Sequence, residues 1–206
     1  MPTLKSLLRS TDQSVRLNAA LAAGTYPEPS QIEILIAQCA HEEDFFVRDT
    51  LSWALMRHER DQVLTRLIEE LKSPIPQARS QALHTFSKIG DKENYRLITA
   101  EHLFDANDVV ASTAWRAASV LVPEEEKSSL VKLLITQLGR GDSELQFGLT
   151  RFLCTIGEPI VESLKLAAES EHQEVRMHAK ITLIRYQEMQ IEFSEKAQMR
   201  KGKLGS

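Results

Sequence analysis

Apolar residues recur in short windows of this chain at i, i+4 and i+8, as in Val47, Leu51 and Leu55 or Leu145, Leu149 and Leu153. That spacing puts each trio on one face of an α-helix. The windows themselves repeat. An apolar anchor, set in most copies three residues after a polar one and often followed by Arg, occurs at Val15, Val47, Ala78, Val110, Leu145 and Val175, with successive offsets of 32, 31, 32, 35 and 30 residues. Each anchor predicts one helix, here termed B. A second amphipathic stretch precedes every B helix, at 4–9, 30–40, 62–72, 95–104, 124–138 and 159–170. These predict the A helices, and the alternation predicts six helical hairpins. Asp12, Asp44, Asn107 and Asp142 stand three residues before an anchor. A short oxygen-bearing side chain there accepts from the free amides of a first turn. Gly90 and Gly157 close the third and fifth B helices in the left-handed conformation that glycine adopts cheaply.

One such hairpin is too thin to bury its own apolar face, so it must stack on its neighbours. The fold class expected is therefore all-α, a right-handed α-α superhelix of about six hairpins forming one domain over residues 1–186. From 187 to 206 the composition turns to Gln, Glu and Lys with Met189 and Phe193, which predicts a C-terminal capping helix and a frayed tail.

The phrase Asp-x-x-Val-Arg-x-x-Ala with a closing glycine resembles the HEAT repeat, in particular the short bacterial form first named from phycobilisome lyases. Residues 47–58 and 77–91 are similar to small stand-alone bacterial HEAT proteins, and the resemblance covers roughly residues 4 to 186. It implies a HEAT/ARM-like solenoid with A helices outside and B helices lining a concave side that usually serves protein–protein contact. Similar repeats occur appended to MerR-type regulators, although no segment here reads as a winged helix. A chromophore-lyase role would follow from the family's name alone.

Composition narrows the classes of partner. The 206 residues carry a formal net charge of -4, which argues against general nucleic-acid binding. Cys39 and Cys154 are far apart in apolar helical contexts and suggest neither a disulfide framework nor a zinc site. No apolar run approaches the roughly 18 residues of a membrane span, and no charged leader opens the chain. A soluble, cytoplasmic protein is expected.

Two enzyme classes built from HEAT-like hairpins provide sharper tests. Deoxyhypusine hydroxylases hold two irons with His-Glu pairs at equivalent repeat positions; here His41-Glu42 and His58-Glu59 are 17 residues apart instead of one repeat and read as exposed helix ends. HEAT-like alkylpurine DNA glycosylases use a basic concave face, tryptophans and a catalytic Asp, which Asp49, Trp53 and Trp115 echo on an acidic chain without a dense Arg stripe. Glu174 and His178, at i and i+4, read as a helix-surface pair more than as metal ligands. Neither catalytic nor metal-binding residues are assigned, and no cofactor is expected.

Arg16, Arg48, Arg79 and Arg176 share one phase and predict a structural ladder of guanidinium groups bonded to caps or carbonyls of neighbouring hairpins. Positions two, five, six and nine past each anchor predict the concave face. There Asp49, Trp53, His84, Trp115, Arg116, Phe147, Arg151 and Lys180 are the candidate partner-binding residues, with Ser52 and Thr150 among the positions expected to face the groove. Trp53 and Trp115 fit equally well as packing between hairpins. The function expected is a non-catalytic adaptor that binds a protein on this face. Nucleic-acid binding or DNA repair on the same face, or work alongside a MerR-type regulator, is the alternative.

Overall fold

The computed structural model describes residues 2–204. Gly205 and Ser206, the last of the expected frayed tail, lie outside the described residues. Twelve α-helices run in order among those described: α1 (Leu4–Leu8), α2 (Gln13–Thr25), α3 (Ile32–Cys39), α4 (Phe45–Leu55), α5 (Arg60–Glu70), α6 (Pro76–Ile89), α7 (Ala100–Leu103), α8 (Asp108–Leu121), α9 (Lys127–Ile135), α10 (Ser143–Ile156), α11 (Ile160–Ala167) and α12 (Gln173–Leu204). Odd-numbered helices are the A helices and even-numbered ones the B helices. The protein is an all-α solenoid of stacked helical hairpins with a C-terminal helix.

Contacts divide the chain into two compact units, residues 1–117 and 118–206. In the first, α1 packs on α2, α3 on α4 and α5 on α6, while B helices α2, α4 and α6 stack in sequence, as do A helices α1, α3 and α5. In the second, α9 packs on α10, α11 on α12, α10 on α12 and α9 on α11. Two periodicities thus meet: helical spacing within an element and the hairpin-to-hairpin repeat. Their overlap produces the buried column Val47, Leu51, Leu55 on α4 and the buried Leu149 and Leu153 on α10.

Helix starts follow the cap chemistry. Asp12 accepts from the Ser14 amide, Asp44 from Val47, Asp142 from Leu145, and Asn107 from Val109 and Val110. α6 begins instead with Pro76 after Ile75 and has no side-chain cap. At the C-termini, Gly90 is left-handed (φ 71°, ψ 13°), whereas Gly157 has φ 95° with ψ -149°, outside the left-handed helical region though still costly for any other residue.

Two elements differ from the sequence pattern. The fourth A helix, expected over 95–104, is a 3₁₀ stretch (Lys92–Leu97) followed by a single α turn, α7. Ile98 is extended at φ -89° and ψ 99°, and Thr99 restarts the helix through a capping box with His102. His102 Nδ1 accepts from the Thr99 amide, which leaves Nε2–H to donate to the Leu71 carbonyl of the preceding hairpin at 3.2 Å. At the other end, the sixth B helix and the expected terminal helix are one unbroken element, α12, because no proline or capping glycine separates them.

Candidate functional site

The arginine column shapes the loop between A and B helices. Each Nη1 reaches back six residues to a carbonyl of its own hairpin: Arg16 to Ser10 (3.0 Å), Arg48 to Glu42 (2.9 Å), Arg79 to Ser73 (2.8 Å) and Arg176 to Ser170 (2.6 Å). Gln146 occupies the same column on α10 and donates to the Gly139 and Gly141 carbonyls. Arg16 and Arg79 also reach forward, each in a two-pronged pair, to Glu42 and Asp105 of the next hairpin. A sequence signal explains why these two do so. Five residues before the anchors stand Ser10, Glu42, Ser73, Asp105, Arg140 and Ser170, so only the second and fourth repeats supply a carboxylate there.

Of the His41-Glu42 pair, His41 is exposed as expected of a helix end, whereas Glu42 is 2% exposed. Besides Arg16, its carboxylate accepts from Gln38 Nε2 (2.9 Å) and the Asp44 amide (3.0 Å). Burial by itself would push this carboxyl up, but the bonds from Arg16, Gln38 and the Asp44 amide outweigh it and hold the group below the usual carboxylate range. His58 is likewise buried, its Nδ1–H donating to the Ala54 carbonyl at 2.8 Å. Glu59, exposed like His41, caps α5 by accepting from the Asp61 and Gln62 amides.

Across the N-terminal halves of α4, α6 and α8 lies a groove of about 780 Å³. Phe45, Ile75 and Val109 form its apolar edge, with Phe45 63% and Val109 65% exposed. Phe45 stands edge-to-face on Phe46, ring centroids 5.6 Å apart. One charged row crosses three helices, with Asp49, His84 and Arg116 on the groove's floor and Lys88 outside its lining. Lys88 of α6 pairs with Asp49 of α4; Asp49 Oδ1 is 3.4 Å from His84 Nε2; and His84 Nδ1 accepts from Arg116 of α8 at 3.4 Å. The Lys88 hydrogen bond holds Asp49 below the usual carboxylate range. Burial first, then the charges of Arg116 and Lys88, push the His84 pKa down against the opposing pull of Asp49. A second cleft of about 790 Å³ lies against α1 and α3, but its Arg16 and Glu42 are consumed by one another and no aromatic lines it.

The structure thus brings three of the eight candidate residues, Asp49, His84 and Arg116, into one groove. Trp115 is a correction: it is 0% exposed, with its indole N–H donated to the Leu103 carbonyl at 2.8 Å, so it anchors α7 to α8 and offers nothing to a partner. Trp53 is half-buried and lies over Gly24 of α2, where any Cβ would strike its ring. Ser52 and Thr150 are also buried, because the fifth position past the anchor points into the next B helix. Ser52 accepts there from Thr85, and Thr150 meets Thr182 at 2.9 Å. Lys180 occupies this same column on α12 and is exposed, since no described helix follows it.

In the second unit, Phe147, Arg151 and Lys180 are all exposed. His178, in contrast, has both ring nitrogens engaged. Nδ1 accepts from the Gly139 amide (3.1 Å), leaving Nε2–H to donate to Thr150 (3.0 Å), so the ring has no lone pair to share with Glu174 and a metal. Among the described residues no group of three or more His, Cys, Asp or Glu could hold a metal ion, and no helix is long and apolar enough to cross a membrane. Burial pushes the Cys39 thiol up to about 12, far from the reactive thiolate.

Comparison with known proteins adds one sequence match and several structural ones. No curated protein matches the chain. Among solved structures, an engineered protein is 16% identical with a TM-score of 0.46, over 89% of this chain and 96% of the other. The complex of CpcE and CpcF of phycocyanin lyase from Nostoc sp. PCC7120 is 19% identical with a TM-score of 0.44, over 85% and 73%. A second engineered protein is 20% identical with a TM-score of 0.46, over 89% and 56%. Residues 1–56, which span α1 to α4 and include Asp49 and Trp53, match the HEAT repeats family, and the fold as a whole is a HEAT/ARM-like repeat solenoid.

Proposed function

We propose that this chain is a non-catalytic adaptor, working in the cytoplasm, that holds a segment of another protein in the groove over α4, α6 and α8. The observation that carries this reading is the groove's make-up. Exposed Phe45 and Val109 flank a polar floor of side chains already positioned by one another, the combination of apolar anchor and oriented polar group found at protein interfaces. The HEAT match over residues 1–56 supplies one wall of it, α4. The adaptor is taken to be one solenoid domain over residues 1–186 with a capping helix beyond. Within this reading Asp49, His84 and Arg116 orient the partner, while Arg16, Arg48 and Arg79 hold the loops of the first unit and Arg176 holds the equivalent loop of its own hairpin. Nucleic acid fits less well, because Asp49 and Glu43 line the same groove in a chain of net charge -4.

The test is affinity capture with quantitative mass spectrometry, comparing the natural chain with Phe45→Ala/Val109→Ser. Both side chains are exposed, so the substitutions leave the melting transition within a degree or two. Loss of the specifically captured protein from the folded variant is expected. A folded variant that keeps every specific partner would sink the groove assignment.

A further inference from the structure

We infer that two copies of this chain pair through α12, the two helices antiparallel along an exposed apolar stripe. The inference is independent of the groove and concerns a face of the second unit. In the interior hairpins the columns two, five and nine past the anchor meet the next B helix: Ser80 lies 2.9 Å from Thr113 of α8, Ser52 accepts from Thr85 of α6, and Gly24 lies under the Trp53 ring of α4. On α12 those columns hold Met177, Lys180 and Ile184, which stay exposed because no described helix follows to cover them. Met177, Ile181, Ile184 and Ile191 are between 51% and 60% exposed. Steps of four, three and seven residues set them on one side of the helix, along about 21 Å of its length. The other side is spent inside the unit, where His178, Thr182 and Tyr186 are buried and the first two bond Thr150 of α10. Met177, Ile184 and Ile191 recur every seven residues, the spacing that keeps a seam turned toward a partner helix.

The charges flanking the stripe select the occupant. Between 176 and 186 the side chains of fixed charge are Arg176, Lys180 and Arg185; between 187 and 195 they are Glu188, Glu192 and Glu195. The first half is therefore basic and the second acidic. A second copy laid antiparallel sets each half against its opposite, whereas a parallel copy would set like on like. The same patch is then complementary to itself, as a two-fold interface between identical chains requires. A symmetry axis near Ile184 brings Met177 over the partner's Ile191 and Lys180 level with the partner's Glu188. Arg185 and Glu188 already pair within the helix, but at more than half exposure such a pair holds little and can be exchanged.

The experiment is sedimentation equilibrium of the full chain. A mass rising from one chain toward two is expected between about 1 μM and about 1 mM, the range of small transient interfaces. Ile184→Asp weakens the association about tenfold or more. Its circular dichroism and its melting transition at the dilute end stay unchanged, because the side chain is exposed. Orientation is read by reversing charges at exposed positions. Lys180→Glu/Arg185→Glu turns the first half acidic, and Glu188→Lys/Glu192→Lys turns the second half basic, so each double variant alone associates severalfold more weakly. All four changes in one chain, or an equimolar mixture of the two double variants, restore the association of the natural chain. A monomer over the whole range would overturn the inference, as would association that Ile184→Asp leaves intact. Association that is lost in Ile184→Asp but indifferent to both reversals, or not restored by combining them, would overturn the antiparallel pairing.

Discussion

His178 closes a ring of hydrogen bonds inside the second unit. The Gly139 amide donates to Nδ1, Nε2–H to Thr150, Thr150 to Thr182, and Thr182 back to the His178 carbonyl. Protonating Nδ1 would set one N–H against another at a side chain 3% exposed, and burial accordingly pushes the imidazole pKa below its ordinary value near 6.5. The neutral form is the native one, so the unfolded chain binds more protons as pH drops. The stability this provides is complete above about pH 6.5 and is lost as pH falls toward the folded value. His84, shifted in the same direction, contributes with the same sign. Urea unfolding is expected to show a falling midpoint between about pH 7 and pH 5, and His178→Gln should flatten part of that slope. An unchanged slope would remove His178 from the account. In the sequence this residue was visible only as the i+4 partner of Glu174. Its real partners lie at 139 and 150, on a different element, where no local spacing could indicate them.

At the scale of elements, the approach of α2 to α4 is set by Gly24. A Cβ built there would meet the Trp53 ring and come within 2.9 Å of the Ala54 Cα, so the two B helices touch along a surface that only hydrogen fits. Alanine in a helix interior normally gains about 1 kcal/mol over glycine. Here the helices would have to part, at a cost of about 1–3 kcal/mol for overpacking. Gly24→Ala is therefore expected to lower the unfolding midpoint, whereas a rise would show that α2 and α4 are not packed this closely. The helices themselves were largely legible, since caps at Asp12, Asp44, Asn107 and Asp142 and the i, i+4, i+8 columns are local physics. The column five past the anchor was not. Its residues Ser52, Trp115 and Thr150 are polar or amphipathic, as an exposed face would be, yet they are buried because their polar atoms find partners in Thr85, Leu103 and Thr182.

For the whole molecule, stability in a stack of hairpins accumulates from neighbour to neighbour, so damage stays near its source. Glu42→Ala removes the buried partner of the Arg16 guanidinium, which is itself only 16% exposed, and breaking such a pair costs about 3–5 kcal/mol. Hydrogen exchange should then quicken through α1 to α4 while α10 and α12 keep their protection. Uniform loss across both units would mean that the chain unfolds as one block. From its sequence alone this protein is determined to be a repeating all-α hairpin array, because helical periodicity, caps and the 30- to 35-residue recurrence are properties of adjacent residues. Which polar side chains are spent inside the stack and which remain at its surface was decided only by tertiary structure. Glu42, Trp115 and His178 are satisfied by groups on other turns and helices, while Asp49, His84 and Arg116 become one site only when α4, α6 and α8 lie side by side. Hydrogen bonds and charges act over a few ångströms of space, and a spacing along the chain does not record that distance.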